Sequence, residues 1–344
     1  MKITLIAETL DPTKGGIPRY NYEISKIKAI NNVINFSENA ENVSLTAKAL
    51  NRLYRRRKYF ETNSKNIEDV LHFTQPEIMF RSSIFDGKIT ILTVHDLAVF
   101  GTMKVTNLYG KLRSAAFRRQ FLFAVNRADF ILVNSSQTRD ELVKILEIDK
   151  NKITVSNFGI EKRLKPIKTE QTNVIGYFGG FNKRKRVDKL IDDYLNSDIR
   201  GKIELWLYGN ETEEYPKLFK KYGKKKGVKF IGRVPEDKLI EVLNSIRFFV
   251  FPTSYEGQGL PILEGIACGT PTFIYEDAVI PAEVKKYLIK ISKLDDISRY
   301  DYKKLRKEFL KKSKLVKKEF DWGRTRADTL KVYKKASALK QGNY

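Results

Sequence analysis

With 344 residues, 42% of them hydrophobic, the chain is long enough for two domains of ordinary size, each with a full core. No apolar run approaches the roughly 18 residues of a membrane span, and the start MKITLIAETL is too short and acidic for a signal peptide, so the mature chain is expected to be the whole chain. A single cysteine, Cys268, excludes an internal disulfide and any cysteine cage for a metal, which fits a reducing cytoplasm. The formal charge of +24, densest over residues 301–344, favours anionic partners such as nucleotides, acidic membrane surfaces or nucleic acid. A solvated, lysine-rich surface is the plain alternative.

Taken in chain order, KITLIAE, NNVINF, DVLHF, KITILTV, DFILVNS and KITVSNF read as strands. Helical patterns near 17–29, 43–58, 107–127 and 137–147 separate them. From about Thr172 the alternation restarts with NVIGYF, KIELWLYG, VKFIG, FFVFP and PTFIY. Short apolar runs alternating with helices imply two doubly wound α/β units in succession. The lysine-rich stretch Glu161 to Gln171, with Pro166, reads as the linker, giving domains at 1–165 and 166–318 and a closing helical segment at 319–344.

Chemistry-bearing residues cluster where strands end. Gly15-Gly16 follows the first strand and precedes a helix, where the absence of a Cβ lets backbone approach a ligand. His95-Asp96 closes KITILTV at a strand's C-terminal end, where sites gather in open sheets. His72 also ends a strand and reads as structural. Lys104 to Arg127 interleaves Lys111, Arg113, Arg118 and Arg119 with Tyr109, Leu112, Phe117, Phe121 and Phe123, a pattern suited to an anionic membrane surface. The run Arg55 to Arg57, flanked by Tyr54 and Tyr59, adds to it. In GYFGGFNKRKRVDKLI, residues 176–191, a strand runs through Gly179-Gly180 into Arg184-Lys185 and a helix, a plausible cradle for a diphosphate. In SYEGQGLPILEGIACGTP, residues 254–271, Glu256 precedes a Gly-Gln-Gly loop and Glu264 follows it. Pro261 suits a helix start and Gly269 with Pro271 a stop, predicting a helix over 261–268. The amides of Gly257 to Leu260 then lie near the positive end of that helix, where an anion and a polyol can be held together. Cys268 reads as a small core residue at the helix end.

The last block resembles the E-x7-E region of the retaining GT-B glycosyltransferases of the GT4 family, in its glycine spacing, Leu260-Pro261, Leu263-Glu264 and Ala267 to Pro271. The tail DWGRTRADTLKVYKKA resembles that family's closing helix at Trp322, Thr325, Leu330 and Tyr333. The resemblance implies two Rossmann-like domains facing across a cleft, with the tail helix returning to the first. It also implies transfer of a sugar from a UDP- or GDP-sugar to a glycan, lipid-linked or other acceptor hydroxyl with retained configuration. No cofactor beyond the nucleotide-sugar co-substrate and no metal is implied. Lys185 takes the place of the family's phosphate-binding lysine, Glu264 holds the donor ribose, and Glu256 contacts the sugar hydroxyls. Gly257, Gln258, Gly259, Leu260, Gly15 and Gly16 line the donor, and His95 bonds the transferred sugar or the acceptor. Three departures stand out: Gln258 replaces an aromatic, Gly180 replaces an arginine, and Arg186 replaces the glycine after the lysine. Arg184 is the candidate for the missing charge. With no Asp-x-Asp motif at a strand end and no metal-ligand spacing, leaving-group charge falls to Lys185, the helix start and loop amides. A cytoplasmic enzyme, peripheral on the membrane's inner face if its acceptor is lipid-linked, is expected. The rivals are a nucleotide-sugar epimerase of the same architecture, a basic nucleic-acid-binding protein, for which no signature appears, and a degenerate transferase serving as a scaffold.

Overall fold

The computed structural model describes residues 1–39, 58–62, 66–101, 108–212 and 214–342, and of residues 38, 39, 101 and 108–113 the backbone alone. The expected helix at 43–58 and the run Tyr54 to Arg57 lie almost wholly outside them. The chain divides into two compact units, Met1–Phe158 with Trp322–Tyr344, and Gly159–Asp321.

Unit 1 is built on six parallel strands in the order β2-β1-β3-β4-β5-β6: β1 Ile3–Ala7, β2 Ile30–Asn35, β3 Val70–Phe73, β4 Ile89–Val94, β5 Phe130–Val133 and β6 Ile153–Val155. Every residue of β1 and β3 is buried, as expected where helices cover both faces of a parallel sheet. The helices are α1 Gly16–Ser25, α2 Leu108–Arg127 and α3 Ser136–Leu146. Helix α3 starts where the Ser135 side chain accepts from the Thr138 amide, satisfying a donor the helix leaves over.

Unit 2 repeats the plan in the order β12-β11-β10-β7-β8-β9, again all parallel. Its strands are β7 Thr172–Phe178, β8 Glu204–Tyr208, β9 Val228–Gly232, β10 Ile246–Phe251, β11 Thr272–Tyr275 and β12 Ile289–Ile291. Its helices are α4 Val187–Leu195, α5 Tyr215–Tyr222, α6 Leu239–Ser245, α7 Leu260–Ala267 and α8 Tyr302–Glu319. Sequence reasoning omitted β12, a three-residue strand with Lys290 at its centre. Helix α7 begins one residue before the expected start, with Gly259 at the cap in a left-handed conformation (φ 84°). The stretch expected to be a linker instead packs on unit 2. Leu164 is fully buried, and Asn244 accepts from the Ile167 amide at 3.0 Å while donating to the Lys165 carbonyl at 3.0 Å. Lysine content hid this, because the anchoring there is done by backbone groups.

The closing helix, α9 Trp322–Lys340, belongs to unit 1. Its Tyr333 hydroxyl bonds His72 Nδ1 at 2.7 Å, and His72 Nε2 bonds Thr93 Oγ1 at 2.8 Å. Thr93 in turn meets the Tyr20 hydroxyl at 2.8 Å. This buried chain joins α9, β3, β4 and α1. Thr325 donates to the Asn157 carbonyl at 2.7 Å, and Trp322 stacks on Phe158.

His72 is therefore structural, and burial holds its pKa down to about 3. The unfolded chain takes up this proton near pH 6.5 while the folded one refuses it, so stability present above pH 6.5 is lost as the pH falls towards 3. The expected slope is about 1.4 kcal/mol per pH unit for this one group. Urea unfolding of unit 1 between pH 7 and pH 5 should show a fall that His72→Gln flattens. An identical pH slope in the variant would show that His72 is protonated in the folded protein.

Candidate active site

In unit 2 the strand order reverses between β7 and β10, the kind of switch point at whose C-terminal strand ends the ligand sites of open α/β sheets gather. The β7 loop reaches it through a tight turn at Lys183–Lys185, held where Asn182 accepts from the Lys185 amide. The β10 loop carries Glu256 and leads into α7. Gly179, in this β7 loop, packs against Gly209 after β8 so closely that a Cβ on Gly209 would lie 1.8 Å from the Gly179 carbonyl oxygen.

Glu256 is 5% exposed and Lys185 is 8% exposed. Lys185 Nζ donates to Glu256 Oε1 at 2.6 Å, Thr253 Oγ1 donates to the same oxygen at 2.7 Å, and Arg184 Nη1 stands 3.2 Å from it. Lys185 also lies 4.5 Å from the centre of the Phe251 ring. Burial alone would push the Glu256 carboxyl up, but Lys185 and then Arg184 outweigh it and hold the group below its ordinary value. Two cations thus face one carboxylate, Lys185 buried and Arg184 partly exposed. Sequence reasoning gave Lys185 to a diphosphate and Glu256 to a sugar, and it did not foresee that the two pair with each other.

Gly257, Gln258 and Gly259 are buried after Glu256, with Gln258 3% exposed. Leu260 opens α7, and Glu264 sits on that helix, partly exposed, one turn on. Sequence reasoning missed Thr253, Phe251, Arg186 and Asp277. The signal for Arg186 was its place, a side chain where the resembled family has glycine. Cys268 is fully buried, and burial pushes its thiol up to about 12, so it is a core residue.

The remaining candidates lie in unit 1. Gly15 has φ 128°, a conformation that disfavours any side chain, and caps α1, which Gly16 begins. His95 Nε2 donates to the Thr74 carbonyl at 2.8 Å, which fixes the tautomer and leaves Nδ1 as a buried acceptor with no hydrogen-bond partner. Burial lowers its pKa to about 4 against the pull of the Thr74 carbonyl and Asp96, so the ring is neutral near pH 7. The described rings of the basic aromatic helix turn to the core. Phe121 is buried, Phe117 and Phe123 pack on the core, and Arg118 donates to the Val99 carbonyl at 3.1 Å. Arg119 is exposed, while the side chains of Tyr109, Lys111, Leu112 and Arg113 lie outside the described set. No helix among the described residues is long and apolar enough to cross a membrane.

Residues 160–317 match the family model described as glycosyl transferases group 1. The chain is 24% identical over 268 residues to the O-antigen chain mannosyltransferase B of Escherichia coli, covering 71% of this chain and 70% of that one. It is 25% identical over 237 residues to an uncharacterized glycosyltransferase of Methanocaldococcus jannaschii, covering 63% and 62%. The fold is that of an Anabaena protein, HepE, solved with UDP and glucose (TM-score 0.73, 13% identity, 97% and 99% covered). A sucrose-phosphate synthase from Thermosynechococcus elongatus shares it as well (TM-score 0.75, 15% identity, 98% and 100% covered). The two units are thus the Rossmann-like units of the GT-B fold.

Removing one partner of a buried ion pair typically costs about 3–5 kcal/mol, because the other charge stays desolvated. Lys185→Met should therefore destabilise unit 2 by about 3 kcal/mol at pH 7. Glu256 has a depressed pKa, so its contribution is present above pH 4.5 and is lost as the pH falls below that value. The deficit of Lys185→Met should shrink over the same range. Denaturant titrations at pH 7 and pH 4 decide it, and a variant as stable as wild type at pH 7 would show that the pair is not desolvated.

Proposed function

We propose, for a chain whose residues 160–317 match the glycosyl transferases group 1 model, that it transfers a hexose from a nucleotide-sugar to an acceptor hydroxyl with retention of anomeric configuration. The observation that carries this reading is the cluster at the β7–β10 switch point, in which buried Lys185 and partly exposed Arg184 stand around Glu256. As the glycosidic bond breaks, charge grows on the departing diphosphate. Preorganised cations in a sheltered crevice stabilise that charge more than water does.

On this reading an arriving diphosphate competes with Glu256 for Lys185. The exchange turns the carboxylate towards the sugar hydroxyls while the lysine turns to phosphate. The start of α7, with the amides of Gly257 to Leu260, adds a partial positive charge. Glu264 accepts from the ribose hydroxyls. The acceptor attacks on the face the nucleotide leaves, and a donor phosphate oxygen takes its proton. His95, neutral and with Nδ1 as an acceptor, suits a bond from a sugar or acceptor hydroxyl. No metal is needed on this account, because Lys185 and Arg184 do the neutralising.

Mannosyl transfer is the variant that the relatives' names support, with a glycan or lipid-linked acceptor. An epimerase finds no support, since the relatives are transferases. A lipid-linked acceptor would place the enzyme at the cytoplasmic membrane face. There the exposed Arg119 and the rest of the lysine-rich surface, rather than the buried rings of α2, would meet the headgroups.

Thermal unfolding with UDP, GDP, UDP-glucose and GDP-mannose tests the donor reading, and one nucleotide family should raise the midpoint. No shift with any of them would sink it. Glu264→Gln should weaken that binding about ten- to a hundredfold, as loss of a charged hydrogen bond costs roughly 1.5–3 kcal/mol. Unchanged calorimetric affinity in the folded variant would remove Glu264 from the site. Turnover should survive EDTA, and strict dependence on added manganese or magnesium would overturn the metal-free account.

A further inference from the structure

Arg186 follows Lys185 and is one of two residues other than glycine with positive φ among those described, at φ 48° and ψ 41°. A side chain there strains the backbone, which glycine would avoid. What the strain holds in place is visible in the bonds of the guanidinium. Nε donates to the Pro252 carbonyl at 2.8 Å and Nη2 to the Thr253 carbonyl at 2.9 Å, both in the β10 loop. The same group forms a two-point pair with Asp277, in the loop after β11, with Nη2 2.8 Å from Oδ1 and Nη1 bonded to Oδ2. Parallel bonds of this kind fix orientation as well as distance. One side chain therefore joins the loops leaving β7, β10 and β11.

The joined loops are those that place Glu256. The Glu256 amide donates to the Val279 carbonyl at 3.0 Å, the Val279 amide to the Ser254 carbonyl at 2.9 Å, and the Ser254 amide to the Arg184 carbonyl at 2.9 Å. Thr253, whose carbonyl Arg186 holds, is the residue whose hydroxyl bonds Glu256 Oε1. We propose that Arg186 is a positioning residue, clamped by Asp277, that fixes the β10 loop so that Glu256 meets Lys185 and Arg184. The side chain itself is committed to Asp277 and two carbonyls, so it does not supply the phosphate-binding charge. The proposal rests on the donor-site reading for its effect on binding, and on geometry alone for its effect on the loop.

The test compares Arg186→Gly, Arg186→Lys and Asp277→Asn with wild type in the full chain. Arg186→Gly relieves the backbone strain while removing the clamp, so folding and clamping are separated. Amide hydrogen exchange without ligand should accelerate at least tenfold at Ser254, Glu256 and Val279 in Arg186→Gly. The Phe249 amide, bonded to Pro271 within the core, should be unchanged. Arg186→Lys, which keeps a cation but loses the fork, should fall between, and Asp277→Asn should show a smaller rise.

Affinity for UDP and GDP should fall about tenfold in Arg186→Gly, with partial rescue in Arg186→Lys. The acid limb of nucleotide binding should also move to higher pH, because a loosened loop lets Lys185 and Arg184 drift from Glu256. Thr253 and, from β7, Tyr177 also face that carboxylate. Unchanged exchange at the three amides, or acceleration spread equally through β7 and β10, would overturn the proposal. If wild type binds neither nucleotide, the donor reading fails, while the exchange data still decide whether Arg186 positions the loop.

Discussion

A carboxylate that has lost its water must keep a cation beside it, and much of the ordering of unit 2's strand-end loops follows from that requirement at Glu256. Satisfying it draws the β7 loop to the β10 loop, since the partner lysine lies 71 residues earlier in the chain. The lysine reaches Glu256 where Gly209, lacking a Cβ, lets the Gly179 carbonyl pass and where the backbone turns sharply after Lys185. The same requirement makes the arrangement switchable. A pair whose members are both desolvated is weakly favoured over two new partners of matching charge and hydrogen-bonding capacity. A ligand with a diphosphate at one end and hydroxyls at the other offers both.

Unit 1 solves a related problem without charge. Its buried polar atoms are linked hydroxyl to imidazole to hydroxyl through Tyr333, His72, Thr93 and Tyr20, and burial keeps both histidines neutral. The chain of bonds fixes α9 against β3 and β4, far from it in sequence. It also sets Tyr20, which stacks on Phe158 and meets the edge of His95. The orientation of the one imidazole with an unpartnered nitrogen thus depends on the docking of the last helix. Two buried histidines divide into a bracket and a presenter of an acceptor atom, according to whether both nitrogens find partners.

Strand content was legible from short apolar or alternating runs, most plainly where both faces are buried, as in β1 and β11, and eleven of the described strands stand where such runs occur. β12 was not, being three residues long with a lysine at its centre. The positions of Glu256, Lys185 and Glu264 at strand and helix ends were legible from glycine and proline punctuation. The Lys185–Glu256 contact was not, because pairing across two loops depends on sheet order, which no local pattern encodes. The aromatic residues of α2 misled for a different reason. A ring beside an arginine reads alike whether the ring faces a core or a membrane, and here Phe121 faces the core.

The departures from the resembled family become intelligible when the three basic residues are taken together. Gly180 offers no charge, and its carbonyl accepts from Tyr177 at 2.7 Å, so this position is given to shaping the turn. Arg186 has charge but is neutralised by Asp277 and held by two carbonyls. Of the three, Arg184 is the one whose guanidinium lies against Glu256, and it also bonds the Tyr255 carbonyl. An arginine there needs the β10 loop to stand close, which is what Arg186 secures. On the proposed reading, glycine at 180 and arginine at 186 belong together: the cation stands further along the loop, at 184, and the loop is tied down to meet it.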